Sequence, residues 1–482
     1  MRKILLAFMA LAALHMSGAV KIVALSDVHA MSEKLIAKPG EAIDKQAAAD
    51  MRMIKQSADI LRTTVKEIIK ERPQVVLISG DLTKDGERLS HEFVVAQLEL
   101  LRAQGIKVLV VPGNHDISNA HAKSFQGAKT KSAATITRDD FRQLYARFGH
   151  GAGVQRDTSS LSFAAEPVAG LVVIGIDSNR DEENLLKSRG DSVNTYNTAG
   201  RIKPATLQWV AARVREARAQ GKQVVGMMHH HLIEHFDQEA KLLEKYVVAD
   251  YKNVRNTLVD AGLRVMLTGH LHITDIARDY IGGDSITEVA TSSLVTYPFH
   301  YRTITIDDGV MRVDTRQIKA VPSCKNLLAE GRLQVEKAVP ALLDGMLNRA
   351  LAKMDAVASK FSGMMALFGG GSFDLSKMKS GMKQVCHAQF DDLATRAMLA
   401  LYEGNEGENP DTKHVIEEME KGMNMVMEAS LPAGIAEMVQ EPLRESVMPK
   451  FHNLLRSILE DRNHCGTPQE VIVNDKTTSF KM

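Results

Sequence analysis

Aspartate, asparagine and histidine side chains follow five apolar runs of this chain, directly after the point where each run ends. Asp27 and His29 come after VKIVALS, Asp81 comes after VVLIS, and Asn114 and His115 come after KVLVVPG. Two later runs, QVVGMM and RVMLT, are followed by His229, His230, His231, His270 and His272. Imidazole and carboxylate groups are ligands that Zn, Mn and Fe prefer, and no thiolate accompanies them. The number of ligands fits two metal ions that share one carboxylate.

The apolar runs predict the strands that position these side chains. From Val20 to Val111 they alternate with helical spacing at 50–71 and 90–104. This strand, helix, strand, helix, strand order implies parallel pairing. Parallel strands deliver their carboxyl ends to one edge of a sheet, where α/β proteins bind ligands. We therefore expect the polar residues to converge there, with the D-x-H and H-x-H pairs pointing to the same side.

The α/β pattern continues to about residue 319. Two polar loops, at 117–157 and 178–203, interrupt it, and the first contains one predicted helix at 139–148. Such loops commonly shape a site at the carboxyl end of a strand. Further strands are predicted at 171–176, 223–228 and 264–268, helices at 204–221 and 252–261, and hairpins over 285–319.

Five motifs together resemble, in order and composition, the calcineurin-like metallophosphoesterases, over about residues 20–320. They are DVH at 27–29, GD at 80–81, GNHD at 113–116, the histidines at 229–231 and GHLH at 269–272. The resemblance implies an α/β fold, an αββα sandwich with mixed sheets, around a dinuclear metal centre. Within the family, the chain looks most similar to the cyclic-nucleotide and glycerophosphodiester phosphodiesterase branch.

The resemblance also implies a role for each motif residue. Asp27, His29 and His272 would bind the first ion, Asn114, His229 and His270 would bind the second, and Asp81 would bridge them. His115 would contact the substrate phosphate or protonate the leaving group. Asp116 is expected either to orient His115 by accepting its other N–H or only to cap the loop.

The fourth motif departs from the family pattern. Many members have His-His-Pro there, whereas this chain has His229-His230-His231-Leu232. Placing His231 where that proline would fall makes His229 the ligand, and His230 is the alternative. His231 and His235 are expected either to line the pocket or to be structural.

The chemistry that follows is hydrolysis of a small phosphate ester. Two ions can lower the pKa of a shared water enough to supply hydroxide near neutral pH. We expect a small phosphodiester substrate, such as a cyclic nucleotide. A phosphomonoesterase or nucleotidase would use the same residues, and a non-catalytic, metal-stabilised binding module is a third hypothesis. Sixty basic against 59 acidic side chains argue against nuclease action on long nucleic acid, so no specific nucleic acid partner is expected.

The length of 482 residues predicts more than one domain. Residues 1–19 have the charged start, apolar run and small residues of a signal peptide, so we expect export to a periplasmic or extracellular location. The remaining chain, 20–320 and 321–482, lacks a predicted transmembrane segment. Export would allow one disulfide among Cys324, Cys386 and Cys465.

The C-terminal residues 321–482 change in character, because strand patterns nearly disappear and Met, Ala, Leu, Glu and Lys dominate. An all-helical domain is predicted, with a loosely held tail from Gly466. Two roles for this domain are open, a lid over the metal edge and a surface for forming a homo-oligomer.

Overall fold

The computed structural model describes residues 18–184, 196–367, 375–404, 412–429, 433–460 and 475–482. Most of the predicted signal peptide therefore lies outside the described residues. The strands are β1 (Val20–Leu25), β2 (Ile36–Lys38), β3 (Val75–Ser79), β4 (Lys107–Val111), β5 (Lys123–Gln126), β6 (Lys129–Ser132), β7 (Gln155–Arg156), β8 (Phe163–Val168), β9 (Leu171–Ile176), β10 (Gln223–Met228), β11 (Val265–Thr268), β12 (Asp275–Ile281), β13 (Asp284–Ala290), β14 (His300–Asp307), β15 (Val310–Gln317) and β16 (Thr477–Lys481). The α-helices are α1 (Glu41–Ala48), α2 (Ser57–Glu71), α3 (Arg88–Ala103), α4 (Arg138–Leu144), α5 (Pro204–Ala219), α6 (Glu239–Leu242), α7 (Tyr251–Asp260), α8 (Leu327–Leu367), α9 (Leu375–Glu403), α10 (Thr412–Ala429) and α11 (Ala433–Leu459).

The first sheet contains the predicted βαβαβ unit. Its strand order is β16-β15-β14-β1-β3-β4, and β1, β3 and β4 pair in parallel through α2 and α3. The second sheet has the order β12-β13-β11-β10-β9-β8-β7, with β9, β10, β11 and β13 parallel. Both sheets are therefore mixed, because antiparallel strands extend each parallel centre.

The two sheets pack face to face between layers of helices. Ile22 points into the core between the sheets, whereas its neighbour Val23 packs with α2 and α3 on the outer face of the first sheet. Val224 and Met228 similarly pack with α5 and α7 outside the second sheet. Because both faces of these strands are covered, their sequences are continuous apolar runs without polar alternation. The αββα sandwich is confirmed.

Several predicted boundaries differ from the structure. The helix predicted from Asp50 begins at Ser57, because the preceding residues are held by tertiary contacts, such as the bond from Met53 N to Val295 O at 2.7 Å. The insertion at 117–157 is not only polar loop and helix, since β5 and β6 form a small three-stranded sheet with β2. The hairpin predicted from 285 begins earlier, with β12.

The C-terminal segment is helical from α8 to α11, as predicted. Residues 466–474 of the predicted loose tail lie outside the described residues, whereas residues 477–481 form a strand. β16 pairs antiparallel with β15 as the edge strand of the first sheet. Phe480 packs into the core between the sheets. The expectation of an all-helical segment is therefore wrong for residues 477–481, because a partner about 160 residues earlier in the chain fixes their conformation.

The described residues also bear on the expected disulfide and on transmembrane segments. Cys324 and Cys386 are free and buried, so these two are not joined, and Cys465 lies outside the described residues. Within the described ranges, every helix is too short or too polar to cross a membrane.

Candidate metal centre

The ends of five parallel strands from both sheets bring the motif residues together. Asp27 follows β1, Asp81 follows β3, Asn114 follows β4, His229 follows β10 and His270 follows β11. All five are buried, between 0% and 8% exposed. The predicted convergence is therefore present, although two facing sheets supply it rather than one.

A first group of ligand atoms consists of a carboxylate oxygen and two imidazole nitrogens. His272 Nε2 lies 3.2 Å from Asp27 Oδ1 and 3.3 Å from His29 Nε2. Asp27 Oδ2 already accepts hydrogen bonds from Ser26 Oγ at 2.6 Å and from the backbone N–H of His270 at 2.9 Å. Asp27 Oδ1 is buried without a hydrogen-bond partner among the described residues, so it is available to a cation.

The two carboxylate oxygens of Asp81 have different partners. Oδ1 accepts a hydrogen bond from the backbone N–H of His115 at 2.8 Å, which fixes the carboxylate plane. Oδ2 lies 3.5 Å from His29 Nε2 and 3.4 Å from His229 Nε2. One oxygen thus stands between the first group and a second one.

The second group contains Asn114, His229 and His270. His229 Nδ1 donates to the carbonyl of Ser79 at 2.8 Å, which leaves Nε2 facing Asn114 Oδ1 at 2.9 Å. His270 Nε2 is 3.1 Å from the carbonyl of Lys245, so Nδ1 is the ring nitrogen that remains for the group with Asp81 and His229. Hydrogen bonds of this kind on the far nitrogen are the usual support of a metal-binding histidine.

His230 is arranged differently from its neighbour His229. Its Nδ1 is 2.8 Å from Ser178 Oγ and its Nε2 is 3.0 Å from the carbonyl of Thr198. Both ring nitrogens are therefore engaged by the loop at 178–203. Burial, followed by the charge of His229, lowers the pKa of His230 to about 3. Of the two alternatives, this geometry favours His229 as a ligand.

Backbone conformation at the site is strained. Five motif residues that are not glycine have positive φ, namely Asp27 (48°), His29 (38°), Asp81 (49°), His270 (70°) and His272 (65°). Such conformations cost about 1–3 kcal/mol each and are concentrated at functional sites. The rest of the fold must offset this cost, as expected for a site whose geometry is fixed before anything binds.

Close backbone approaches explain two glycines of the motifs. A Cβ on Gly113 would lie 2.1 Å from the backbone nitrogen of Asp81, and one on Gly269 would lie 1.7 Å from Ser26 Oγ. No side chain fits at either position. Gly113 lets the loops after the neighbouring strands β3 and β4 touch, and Gly269 lets the loop after β11 touch the end of β1 in the other sheet.

The partner of His115 is Asp85, not Asp116. His115 Nδ1 lies 3.0 Å from Asp85 Oδ1, and His115 Nε2 lies 3.9 Å from Asp81 Oδ2. Burial lowers the pKa of His115, but the carboxylates of Asp81 and Asp85 outweigh it and raise the pKa above its usual value. The imidazole therefore faces the metal edge with a carboxylate behind it. Sequence reasoning missed Asp85, although it lies only four residues after Asp81.

Asp116 instead clamps the loop after β3, so its predicted role in orienting His115 is wrong. Its carboxylate accepts from the backbone N–H groups of Leu82, Thr83 and Gly113 at 2.8–3.1 Å. Burial, followed by the charge of Asp81, raises its pKa to about 6. This is the loop-capping alternative.

The carboxylates and imidazoles at the centre of the site shift one another's pKa values. Burial would raise the pKa of Asp81, but His229, His115 and His29 hold it well below its usual value. Burial would lower the pKa of His229, but Asp81 and then Asp27 raise it to about 9.

A cavity of about 220 Å³ opens beside His115. Its lining residues are Gln46, Arg52, Asp85, His115, His121 and Lys123. Arg52 forms an ion pair with Asp50 at 2.8 Å and also reaches His29 Nδ1 at 3.0 Å. Apart from His115, sequence reasoning missed the lining residues, because no spacing signal marks them.

Tyr196 covers the same edge from the loop at 178–203. Its hydroxyl accepts a hydrogen bond from Asn114 Nδ2, and its ring lies 5.4 Å from that of His115 and 5.2 Å from that of His121. An aromatic face thus borders the cavity.

The donor set fits two metal ions. Three overlapping groups, each with ligand atoms within 4.8 Å of one another, are Asp27 with His29 and His272, His29 with Asp81 and His115, and Asp81 with His229 and His270. All donors are nitrogen or oxygen, which suits Mn, Fe or Zn. The orphaned Asp27 Oδ1 is independent support.

The family model described as calcineurin-like phosphoesterase matches residues 20–274. The chain therefore belongs to the calcineurin-like phosphoesterase family, and it is a phosphoesterase of the class that binds two metal ions. Similar solved structures include a dimetal phosphatase from Danio rerio, with 17% identity, a TM-score of 0.44, and coverage of 62% of this chain and 96% of that one. A yellow lupin purple acid phosphatase has 12% identity, a TM-score of 0.37 and coverage of 62% and 52%. A Haemophilus influenzae NAD nucleotidase has 12% identity, a TM-score of 0.32 and coverage of 64% and 51%. No protein with a curated description matches the sequence.

Proposed function

We propose that this phosphoesterase hydrolyses a small phosphodiester at a dinuclear centre, with Asp81 as the bridging ligand. One observation carries the proposal. Asp81 Oδ2 lies between two groups of ligand atoms, with the imidazole of His115 facing the same oxygen. A dinuclear centre needs a shared ligand, and a phosphoryl transfer needs a proton donor beside it.

Seven residues would hold the two ions. The first ion would take Asp27, His29 and His272, the second would take Asn114, His229 and His270, and both would take Asp81. Mn, Fe and Zn all suit this set. When bound, the ions supply Lewis acidity and an activated water for attack at phosphorus.

His115 would donate a proton to the leaving oxygen. Asp85 holds Nδ1, so Nε2 is the atom that faces the cavity. The two carboxylates raise the pKa of this imidazole above its usual value, which favours the protonated form that a general acid needs. General acid catalysis of this kind contributes about 10² to 10⁴-fold.

The charge of the cavity supports a diester over a monoester. The guanidinium of Arg52 is already neutralised by Asp50. Lys123 has no ion pair among the described residues, so it adds one uncompensated positive charge beside His115. A diester carries a single negative charge, whereas a monoester carries nearly two at neutral pH. The ring of Tyr196 offers a face for the apolar part of the alcohol.

A matched pair of substrates tests this proposal. We expect purified protein loaded with Mn²⁺ to hydrolyse bis(p-nitrophenyl) phosphate with a higher kcat/KM than p-nitrophenyl phosphate. Lys123→Gln should reduce the rate with the diester. A strong preference for the monoester would overturn the diester assignment and leave a phosphomonoesterase.

A further inference from the structure

A second cluster of metal-ligand side chains lies outside the seven residues of the dinuclear centre. It consists of His231, His235 and Glu288, whose ligand atoms lie within 4.8 Å of one another. The side chains of all three are completely buried. His231 and His235 belong to the loop after β10, and Glu288 belongs to β13. Nothing in the proposed hydrolysis uses them.

His231 has the support of a metal ligand on one ring nitrogen and nothing on the other. Its Nδ1 lies 2.8 Å from Glu239 Oε1. Its Nε2 is buried without a hydrogen-bond partner among the residues that the structure describes. An imidazole that donates one N–H to a carboxylate presents its other nitrogen as a strong ligand.

His235 differs from His231, because each of its ring nitrogens faces a carboxylate. Its Nδ1 faces Asp275 Oδ2 at 3.3 Å, and its Nε2 faces Glu288 Oε1 at 3.2 Å. Neither nitrogen makes a hydrogen bond of acceptable geometry within the described part of the chain. Buried polar atoms are nearly always hydrogen-bonded, so His231 Nε2, which lacks a partner among the described residues, and the two poorly aligned nitrogens of His235 require an explanation.

Glu288 is a completely buried carboxylate of β13. Its Oε2 accepts from the backbone N–H groups of Leu232 and Ile233 at 2.9 and 3.0 Å. Its Oε1 accepts from Thr268 Oγ1 at 2.6 Å and points to His235. The carboxylate is thus held in place, with one oxygen aimed at the two imidazoles.

We propose that His231, His235 and Glu288 bind a third metal ion, of the Zn²⁺ class. Two ligand atoms on a tetrahedral ion at about 2.0–2.1 Å lie about 3.3 Å apart. The distance of 3.2 Å between His235 Nε2 and Glu288 Oε1 matches this value. Two imidazoles and one glutamate are an established ligand set for zinc.

The ion would have a structural role. It would tie the loop at 229–239 to β13, and this loop begins with His229 of the dinuclear centre. Complete burial leaves no route for a substrate to reach it. The alternative occupant is a proton on His235, because Asp275 and Glu288 outweigh the effect of burial and raise its pKa well above the usual value.

Counting bound metal separates these two occupants. Full-length protein is loaded with Zn²⁺, desalted and measured by inductively coupled plasma mass spectrometry. We expect three equivalents for the wild type, and two for His235→Gln and Glu288→Gln. His150→Gln, which removes a buried histidine elsewhere, should keep three.

A variant without the dinuclear centre keeps the proposal testable if the cluster variants fail to fold. Asp27→Asn combined with Asp81→Asn and His229→Gln removes a ligand of each ion and the bridging carboxylate, and this variant should retain one equivalent of Zn²⁺, which disappears when Glu288→Gln is added. A wild-type content of two equivalents that the cluster variants do not change, or no ion in the Asp27, Asp81 and His229 variant, would overturn the proposal. The proposal is independent of the diester assignment, because the readout is metal content.

Discussion

At the scale of single residues, hydrogen bonds decide which atom of each side chain meets the metal edge. Asp81 gives one oxygen to the backbone of His115, and His229 gives one nitrogen to the carbonyl of Ser79. The other carboxylate oxygen of Asp81 and the other ring nitrogen of His229 therefore face each other. Asp85 likewise engages Nδ1 of His115, so Nε2 of this ring is the nitrogen that remains. Preorganisation of this kind avoids the cost of orienting the ligands when ions and substrate bind.

Asp85→Asn tests whether this carboxylate maintains the proton on His115. Asp85 raises the pKa of His115, so its removal should lower that pKa and move the alkaline limb of the kcat profile to lower pH. Asp139→Asn, at an exposed carboxylate on α4, is the matched control and should leave the profile unchanged. An alkaline limb that stays in place in Asp85→Asn would show that His115 is not the proton donor.

The convergence of the candidate ligands was predictable from the sequence, whereas the residues that support them were not. Asp27, Asp81 and His229 follow apolar runs that had to be strands, so their convergence followed from parallel pairing. Asp85 and Tyr196 lie in loops, where no periodicity fixes the direction of a side chain. Of the two roles considered for Asp116, orientation of His115 is wrong for the same reason, because sequence adjacency to His115 does not imply contact.

His91 should make folding stability depend on pH. Burial lowers its pKa from 6.5 to about 4, and its ring nitrogens face Tyr145 Oη and the carbonyl of Asp116 at 2.8 Å. The unfolded chain binds a proton on this residue more readily, so stability is complete above pH 6.5 and declines as the pH falls toward 4. The contribution is about 3 kcal/mol.

Urea unfolding of wild type and His91→Gln at several pH values measures the contribution of His91 to the pH dependence of the free energy of unfolding. The wild-type free energy of unfolding should fall more steeply between pH 6.5 and 4 than that of the variant. Parallel curves would exclude His91 as a source of acid sensitivity.

At the scale of elements, local pattern was sufficient for the central strands and helices but not for the edges. β9 and β10 occur at their predicted bounds because both are buried on two faces. β16 was missed, since five residues with a single buried aromatic are too short to predict a strand. Its conformation depends on pairing with β15, which no local signal reveals.

Phe480→Ala tests the contribution of β16. The ring is 7% exposed in the core between the sheets, so its loss should cost about 3 kcal/mol and lower the Tm. Lys481→Ala, at the next and exposed residue of the same strand, should have little effect. Equal Tm values for the two variants would mean that β16 does not pack as described.

At the scale of the whole molecule, helices α8 and α9 pack beside the candidate metal ligands, next to His272. Val335, Val339, Leu399 and Tyr402 pack against Ile273, next to His272. The backbone N–H of Thr274 also donates to the carbonyl of Leu401 at 3.1 Å. Of the two roles considered for the helical segment, these contacts favour shaping the site, and a homo-oligomer remains a prediction.

Tyr402→Leu and Leu333→Ala distinguish the two roles. Tyr402 is buried in this packed group of side chains, so its replacement should reduce kcat/KM, by up to about 10²-fold if His272 moves, without changing the mass measured by light scattering. Leu333 is 47% exposed on α8, and its replacement should leave activity intact. A lower mass for Leu333→Ala with unchanged kinetics in Tyr402→Leu would favour an oligomerisation surface instead.

The most direct test of a dinuclear phosphoesterase centre is the rate of bis(p-nitrophenyl) phosphate hydrolysis in wild type and Asp81→Asn, each after chelation and after reloading with Mn²⁺. We predict that chelation abolishes the wild-type rate and that Mn²⁺ restores it. Asp81→Asn should stay at least about 10³-fold slower after reloading, because the bridging carboxylate is lost. Full activity in chelated wild type, or a wild-type rate in reloaded Asp81→Asn, would contradict the assigned centre.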